Sequence, residues 1–246
     1  YPFGTKSNLA WDASIQYADF FAFFRDFLLG DAHIGYSMSK SLGGSLVAFF
    51  AYYLSSPFNL LVVFFKRENL QLFIFFITLL KVSLSALTCC FYLKNRFKYL
   101  LDNRFVIILS LAYAFSQYSV SQATNVMWLD GVYMLPLIMF GVWKFVSEDR
   151  PFILWMTVGL SVLFNWYTGY MNCLFIPFYF LVEEVLYRKN ENNLHVSKVI
   201  RRGLGFCIME LLGVLLSCVL LLPTVYGLLN GKGIENSNLF TWQTNG

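Results

Sequence analysis

Asp12, Gln16 and Tyr17 open this chain with side-chain types that handle hydroxyl groups. A carboxylate beside an acceptor hydroxyl acts as a general base, taking the proton as the oxygen attacks. Gln16, Tyr17 and Asp19 are the neighbours expected to orient substrate hydroxyls. Aspartate is also a good N-cap, and Asp12 stands where a helix starting near Ala13 would use one. Arg25 and Lys40 are cations beside apolar stretches. They suit a lipid phosphate, whose charge they would stabilise as it leaves; the plainer reading is attraction to anionic headgroups. Asp26 and Asp31 read as solvated charges. Ser37-Met38-Ser39-Lys40 matches a Ser-x-x-Lys pattern, but the sequence has no Ser-Asp-Asn or Lys-Thr-Gly element to accompany it, so it reads as chance.

Two further ionisable residues interrupt apolar stretches. Lys81 falls in the middle of one, where a charge costs about 2.5–3.5 kcal/mol on insertion scales, so it requires a partner. Asp130 and Glu210 both qualify. Asp130, in Trp128-Leu129-Asp130-Gly131, stands near the end of another apolar stretch. It either faces a bundle interior as a binding residue or is an acid favoured by the dipole at a helix N-terminus. Asn165, Tyr167 and Tyr170 gather at one turn. Interfacial tyrosines ordinarily form an aromatic belt, whereas Asn165 points to a specific contact; Asn165 and Tyr167 are the binding candidates there.

The elements that must position these residues are membrane helices. Of 246 residues, 58% are hydrophobic and 13% charged, against about 25% charged in a soluble domain. The expectation is an all-α integral membrane protein. Six segments reach a spanning length of about 20 apolar residues: 70–93, 105–124, 126–147, 152–169, 171–187 and 203–229. Lys94, Arg96, Lys98 and Arg104 fill one loop, Lys144 and Arg150 another. Arg188, Lys189, Lys198, Arg201 and Arg202 fill a third, and the alternate turns carry no Lys or Arg. The positive-inside rule makes the basic loops cytoplasmic. Residues 1–69 then form a long external loop, 70–229 a six-helix bundle, and 230–246 the start of a further external loop.

Residues 42–65 are apolar enough to compete as a span, but Ser55-Ser56-Pro57 divides them into pieces too short to cross. They are expected to lie along the outer leaflet as interfacial helices. So is 14–29, where Phe20, Phe21, Phe24, Phe27 and Leu28 share a face. The basic residues are scattered over loops, so a nucleic-acid surface is not expected. The five cysteines lie in apolar stretches without a CxxC pair, and His33 and His195 fall on opposite sides of the membrane, so neither metal nor cofactor is expected. The chain opens on Tyr1 without a signal-peptide pattern and reads as a piece of a longer protein, without its first helix.

Several strings carry a resemblance to a known family. They are Asp12-x3-Gln16-Tyr17, Leu42-Gly43-Gly44, Ala51 to Leu60, Trp128-Leu129-Asp130, Leu135-Pro136-Leu137 with Gly141, and Asn165-x-Tyr167-x-Gly169-Tyr170-Met171. Their order and spacing resemble the bacterial YfhO family of multi-pass membrane proteins. The resemblance implies a GT-C-type glycosyltransferase fold in the cytoplasmic membrane, with its active face outside. The implied donor is a polyprenyl-phosphate-linked sugar and the implied acceptor a cell-wall polymer, lipoteichoic or wall teichoic acid. Such enzymes carry a catalytic acid in the first external loop, and Asp12 matches that position. The rival expectations are a transporter or lipid flippase using Lys81, Asp130 and Glu210 as pathway charges, and a non-catalytic assembly subunit of the cell envelope.

Overall fold

A computed structural model describes residues 16–33, 47–192 and 195–229. Every regular element among them is helical. Helix α1, Ala18–Leu29, ends where Gly30 adopts φ 91°, a left-handed stop that glycine enters without steric cost. The short α2, Val47–Phe49, runs into a π-helical turn at Phe50–Leu54, and a 3-10 helix follows at Pro57–Phe64. The break falls at Ser55-Ser56, with Pro57 opening the second piece, because proline has no N–H to continue the preceding turn. These pieces and α1 form a shelf across one end of the molecule. Phe21, Phe24, Leu54 and Val62 bury themselves there with Phe73 and Ile77 of the bundle.

The bundle contains α3 (Leu70–Arg96), α4 (Asn103–Ala114), α5 (Gln117–Ser121), α6 (Leu129–Glu148), α7 (Pro151–Phe164), α8 (Trp166–Asn190), α9 (Val196–Leu216) and α10 (Cys218–Leu229). Their contacts make a row α4–α3–α6–α7–α9, with α8 across α6 and α7. Helix α6 is central: 72% of its apolar window is buried, against 39% for the α3 window and 33% for α8. The interior is Ile138, Val142 and Phe145 of α6, Leu154 and Val158 of α7, Ile176 and Phe180 of α8, and Phe206 of α9. The outward faces of α3, α4, α8 and α9 leave leucines, isoleucines and phenylalanines exposed, as lipid contact requires.

Three described helices are long and apolar enough to cross a membrane: Arg67–Arg96, Val126–Glu148 and Trp166–Asn190. The pair Val196–Leu216 and Cys218–Tyr226 is a fourth candidate, bent by 70°. The chain is therefore an all-α, multi-pass membrane protein. The helix breaks differ from the six uninterrupted spans read from hydropathy. Segment 105–124 is cut at Ser116, whose hydroxyl accepts from Ser119 N and starts a new helix. At 12 residues, α4 is about 18 Å long. The expected turn at 165–172 contracts to Asn165, which caps α8 by accepting from Thr168 N, leaving α7 with 14 residues. Segment 203–229 is cut at Ser217.

The two ends of the bundle differ in chemistry. At the end away from the shelf, Arg96 grips Glu183 with bonds of 2.8–3.1 Å, tying α3 to α8. Tyr179 donates to Glu183 at 2.6 Å. Arg202 donates to the Phe145 carbonyl at 2.6 Å and pairs with Asp149 at 3.0 Å, tying α9 to α6 and its loop. The three basic loops thus gather at one end and the shelf covers the other.

Candidate functional site

Beneath the shelf, Asp130 sits in the first turn of α6 with 1% of its surface exposed. Lys81, fully buried in α3, puts Nζ 2.7 Å from Asp130 Oδ2 and 3.1 Å from the Val126 carbonyl. Ser56 Oγ and Tyr133 OH each donate to Asp130 Oδ1 at 2.7 Å. The partner of Lys81 is thus Asp130 and not Glu210. Three donors satisfy the carboxylate, a condition for keeping a charge out of water. With both oxygens held by protein donors, Asp130 is a structural anchor in this geometry. The described partners of Asp130 all belong to the protein, and at 1% exposure the carboxylate offers little surface to a substrate.

Asn165 is also buried and also engaged. Its Oδ1 takes Thr168 N at 2.8 Å and Thr168 Oγ1 at 2.9 Å, and its Nδ2 donates to the Tyr52 carbonyl at 2.8 Å. It joins the α7–α8 corner to the shelf. Nearby, Ser55 Oγ donates to the Phe164 carbonyl at 2.8 Å. Gly169 packs here so closely that a Cβ would stand 2.6 Å from Val162 Cα, so only glycine permits this corner.

Gln16 and Tyr17 lie at the start of α1, directly over this corner. Tyr53 OH donates to Gln16 Oε1 at 3.3 Å, and Tyr17 OH reaches Asn125 Oδ1 at 3.4 Å. Asp19 is exposed one position into the helix. Tyr167 is half-buried among Trp128, Tyr52 and Trp166, with ring centroids 6.0, 6.3 and 6.0 Å away. Gln16, Tyr17, Asn165 and Tyr167 therefore converge with Asp130 at one end of the bundle. Arg25 does not join them. It lies farther along α1, with Nε donating to the Phe65 carbonyl at 2.8 Å and Nη1 3.6 Å from Asp26. Asp12 and Lys40 lie outside the described residues.

Beside this cluster is a cavity of about 460 Å³, lined in part by Tyr113, Tyr118, Trp128, Leu135, Tyr167 and Met171. It occupies the space opened by the α4–α5 break, against the first turns of α6 and α8. Its wall is largely aromatic and apolar, and several of its polar groups turn to protein partners. Tyr113 OH donates to the Val132 carbonyl at 2.6 Å. Thr168 Oγ1 is held by Asn165, and Asn172 Nδ2 donates to the Gly131 carbonyl at 3.1 Å and Ser161 Oγ at 3.2 Å. Trp128 Nε1 is a buried donor without a protein acceptor. Among the described residues no three His, Cys, Asp or Glu side chains gather as metal ligands.

Ser56, Tyr133, Asn172 and the cavity wall escaped the sequence reading. Ser56 was visible only as part of a helix-breaking Ser-Ser-Pro string. Tyr133, three residues after Asp130, had a helical spacing that brings it back over the carboxylate, and that was the one available signal.

The whole chain, residues 1–246, matches the family model described as bacterial membrane protein YfhO. A curated relative, the uncharacterized protein YfhO of Bacillus subtilis (strain 168), is 26% identical over 223 residues, or 84% of this chain. The chain spans about a quarter (25%) of that relative's length. No solved structure matches it. On the strength of the full-length family match, and with the membrane fold already described, the chain belongs to the YfhO family of bacterial membrane proteins.

Proposed function

We propose that this chain is the donor-lipid portion of a membrane glycosyltransferase acting on the outer face of the bacterial cytoplasmic membrane. The sugar comes from a polyprenyl-phosphate carrier and goes to a wall polymer such as lipoteichoic or wall teichoic acid. An acceptor hydroxyl attacks the anomeric carbon while Asp12 takes its proton. The bond to phosphate breaks, and polyprenyl phosphate leaves with its charge met by Lys40. Gln16, Tyr17, Asp19 and Tyr167 orient sugar hydroxyls. Asp130 and Asn165 hold the shelf on which the first of these stand.

The observation that carries this reading is the cavity beside Tyr167. Pockets of a few hundred Å³ with apolar walls and few polar groups are the usual form of a small-ligand site. The Tyr113, Ser116 and Thr168 hydroxyls and the Asn172 amide of this wall are engaged by the protein, which leaves few polar groups for a ligand deep in the cavity. A sugar placed deep inside would leave its own hydroxyls unpaired, at a cost of about 1–3 kcal/mol each. A hydrocarbon chain has no hydroxyls of its own to leave unpaired. The first isoprene units fit the cavity, with the phosphate and sugar toward the shelf and Gln16 and Tyr17.

One feature favours a transporter, the 70° bend between α9 and α10, since transporters build sites from interrupted helices. The buried charges do not follow that pattern: Lys81 and Asp130 are sealed and paired, with no opening to a pathway.

The test uses the full-length protein in cells. Asp12→Asn is expected to lower sugar transfer roughly a hundred- to ten-thousandfold, the range of a lost general base, with unchanged membrane insertion. Mass spectrometry of purified wall polymers reads the missing hexose or N-acetylhexosamine. Retention of the sugar in the Asp12→Asn strain removes Asp12 from the mechanism; an identical polymer in a strain lacking the gene removes the glycosyltransferase reading.

A further inference from the structure

We infer that Ser56, Asp130 and Lys81 form a latch that fixes the register of the shelf on the bundle, making Ser56 and Asp130 positioning residues for whatever the shelf carries. The activity arm of the test rests on the glycosyltransferase reading; the structural arm does not.

The argument begins with a side chain diverted from its ordinary use. Ser56 is the N-cap of the Pro57–Phe64 helix, extended at ψ 130°, yet makes no capping bond. A serine there normally accepts from an N–H of its own first turn. Its hydroxyl instead donates to Asp130 across 74 positions of sequence, at 2.7 Å, in a site where Ser56 is 2% exposed. Asp130 has two other donors, Lys81 and Tyr133, both from bundle helices. Among the described residues, Ser56 is the one donor that links the carboxylate to the shelf.

Two neighbouring bonds confine the same short stretch. Asn165 holds the Tyr52 carbonyl and Ser55 holds the Phe164 carbonyl, both at 2.8 Å. Tyr52 to Ser56 is therefore a knuckle fixed at three points, and Tyr53 within it donates to Gln16. Displacing the knuckle displaces the start of α1. Of the three ties, the one to Asp130 is charge-assisted and buried, and such bonds are about twice as strong as neutral ones. Lys81 matters because it keeps an ionised acceptor at this depth.

Three variants of the full-length protein separate a latch from a purely structural ion pair. Ser56→Ala removes the hydroxyl alone. The pair K81M/D130L removes both charges and the acceptor, whereas K81M/D130N removes both charges but leaves an amide oxygen for Ser56. Val62 is fully buried under the shelf, so each variant carries Val62→Cys, and labelling of residue 62 by a membrane-impermeant maleimide is followed by peptide mass spectrometry. Ser56→Ala and K81M/D130L are expected to raise the labelling rate on the order of ten- to a hundredfold, the effect of losing a hydrogen bond to a charged group. K81M/D130N, which keeps a neutral hydrogen bond in place of a charge-assisted one, is expected to fall between the parent and Ser56→Ala.

In sugar transfer, Ser56→Ala is expected to raise the KM for the sugar donor, since Gln16 and Tyr17 at the start of α1 orient its sugar and move with the knuckle. Simple loss of folded enzyme would not move that KM. Unchanged labelling in Ser56→Ala overturns the latch, and that single variant decides the matter if the double variants do not accumulate. Labelling that rises in a protein whose parent transfers no sugar upholds the latch and overturns the enzymatic reading alone.

Discussion

Lys81 is the residue whose chemistry binds the rest of the site to the bundle. A primary ammonium with no exposed surface stands 2.7 Å from a carboxylate that is nearly as deep. Breaking such a pair from one side strands a charge, at a cost of about 3–5 kcal/mol, while replacing both partners by apolar groups is often neutral. Lys81→Met is therefore expected to lower the stability of the detergent-purified protein by about that amount, and adding Asp130→Leu to recover only part of it, because Ser56 and Tyr133 then lose their buried acceptor. Thermal unfolding of the single and double variants measures both, and a single variant as stable as the parent would refute the coupling. Lys81 and Asp130 were legible in the sequence because charge inside an apolar run is costly wherever the fold places it. Ser56 and Tyr133 were not, because a hydroxyl is compatible with lipid, water or protein, and only geometry distinguishes them. Asn165 was legible as a specific contact, but its contact is the protein's own backbone.

Helices in this bundle meet where side chains are smallest. Gly159 of α7 and Gly213 of α9 face each other: a Cβ on Gly159 would come 2.8 Å from the Gly213 carbonyl, and one on Gly213 would come 2.8 Å from the Trp155 carbonyl and Val158 Cβ. Without a hydrophobic drive between helices in lipid, such close backbone approach supplies the packing. Gly213→Leu is expected to force α9 from α7 and destabilise the protein by about 1–3 kcal/mol, the range of overpacking, with Gly213→Ala milder. A fall in melting temperature in detergent checks this; an unchanged melting temperature for Gly213→Leu would show that the crossing is dispensable. The same scale explains which breaks were legible. Pro57 announces its break chemically. The break at Ser116 coincides with a turn to polar residues (Ser116, Gln117, Ser119, Ser121, Gln122) that a span-length window averages away, whereas the break at Ser217 sits inside an apolar run and only the 70° bend reveals it.

At the scale of the whole molecule, the two ends of the bundle differ: one gathers three loops rich in Lys and Arg, while the shelf end carries Arg25, Lys66 and Arg67 beside Asp26 and Glu68. Arg96, Arg188 and Arg202 belong to one end, each paired there with Glu183, Glu184 or Asp149. Gln16, Tyr17, Asn165 and Tyr167 belong to the other. By the positive-inside rule the shelf and the cavity beside it are expected outside, which is the orientation the proposed reaction requires. Leu60 on the shelf is 51% exposed and Tyr99 in the first basic loop 91%, which makes them matched reporters. In intact cells a membrane-impermeant thiol reagent is expected to label Leu60→Cys at once and Tyr99→Cys only after permeabilisation. The five native cysteines lie in apolar helices, so peptide mapping separates their signal from the two reporters. The reverse pattern would place the shelf in the cytosol, and no reaction on an external polymer could then use Gln16, Tyr17 or the cavity beneath them.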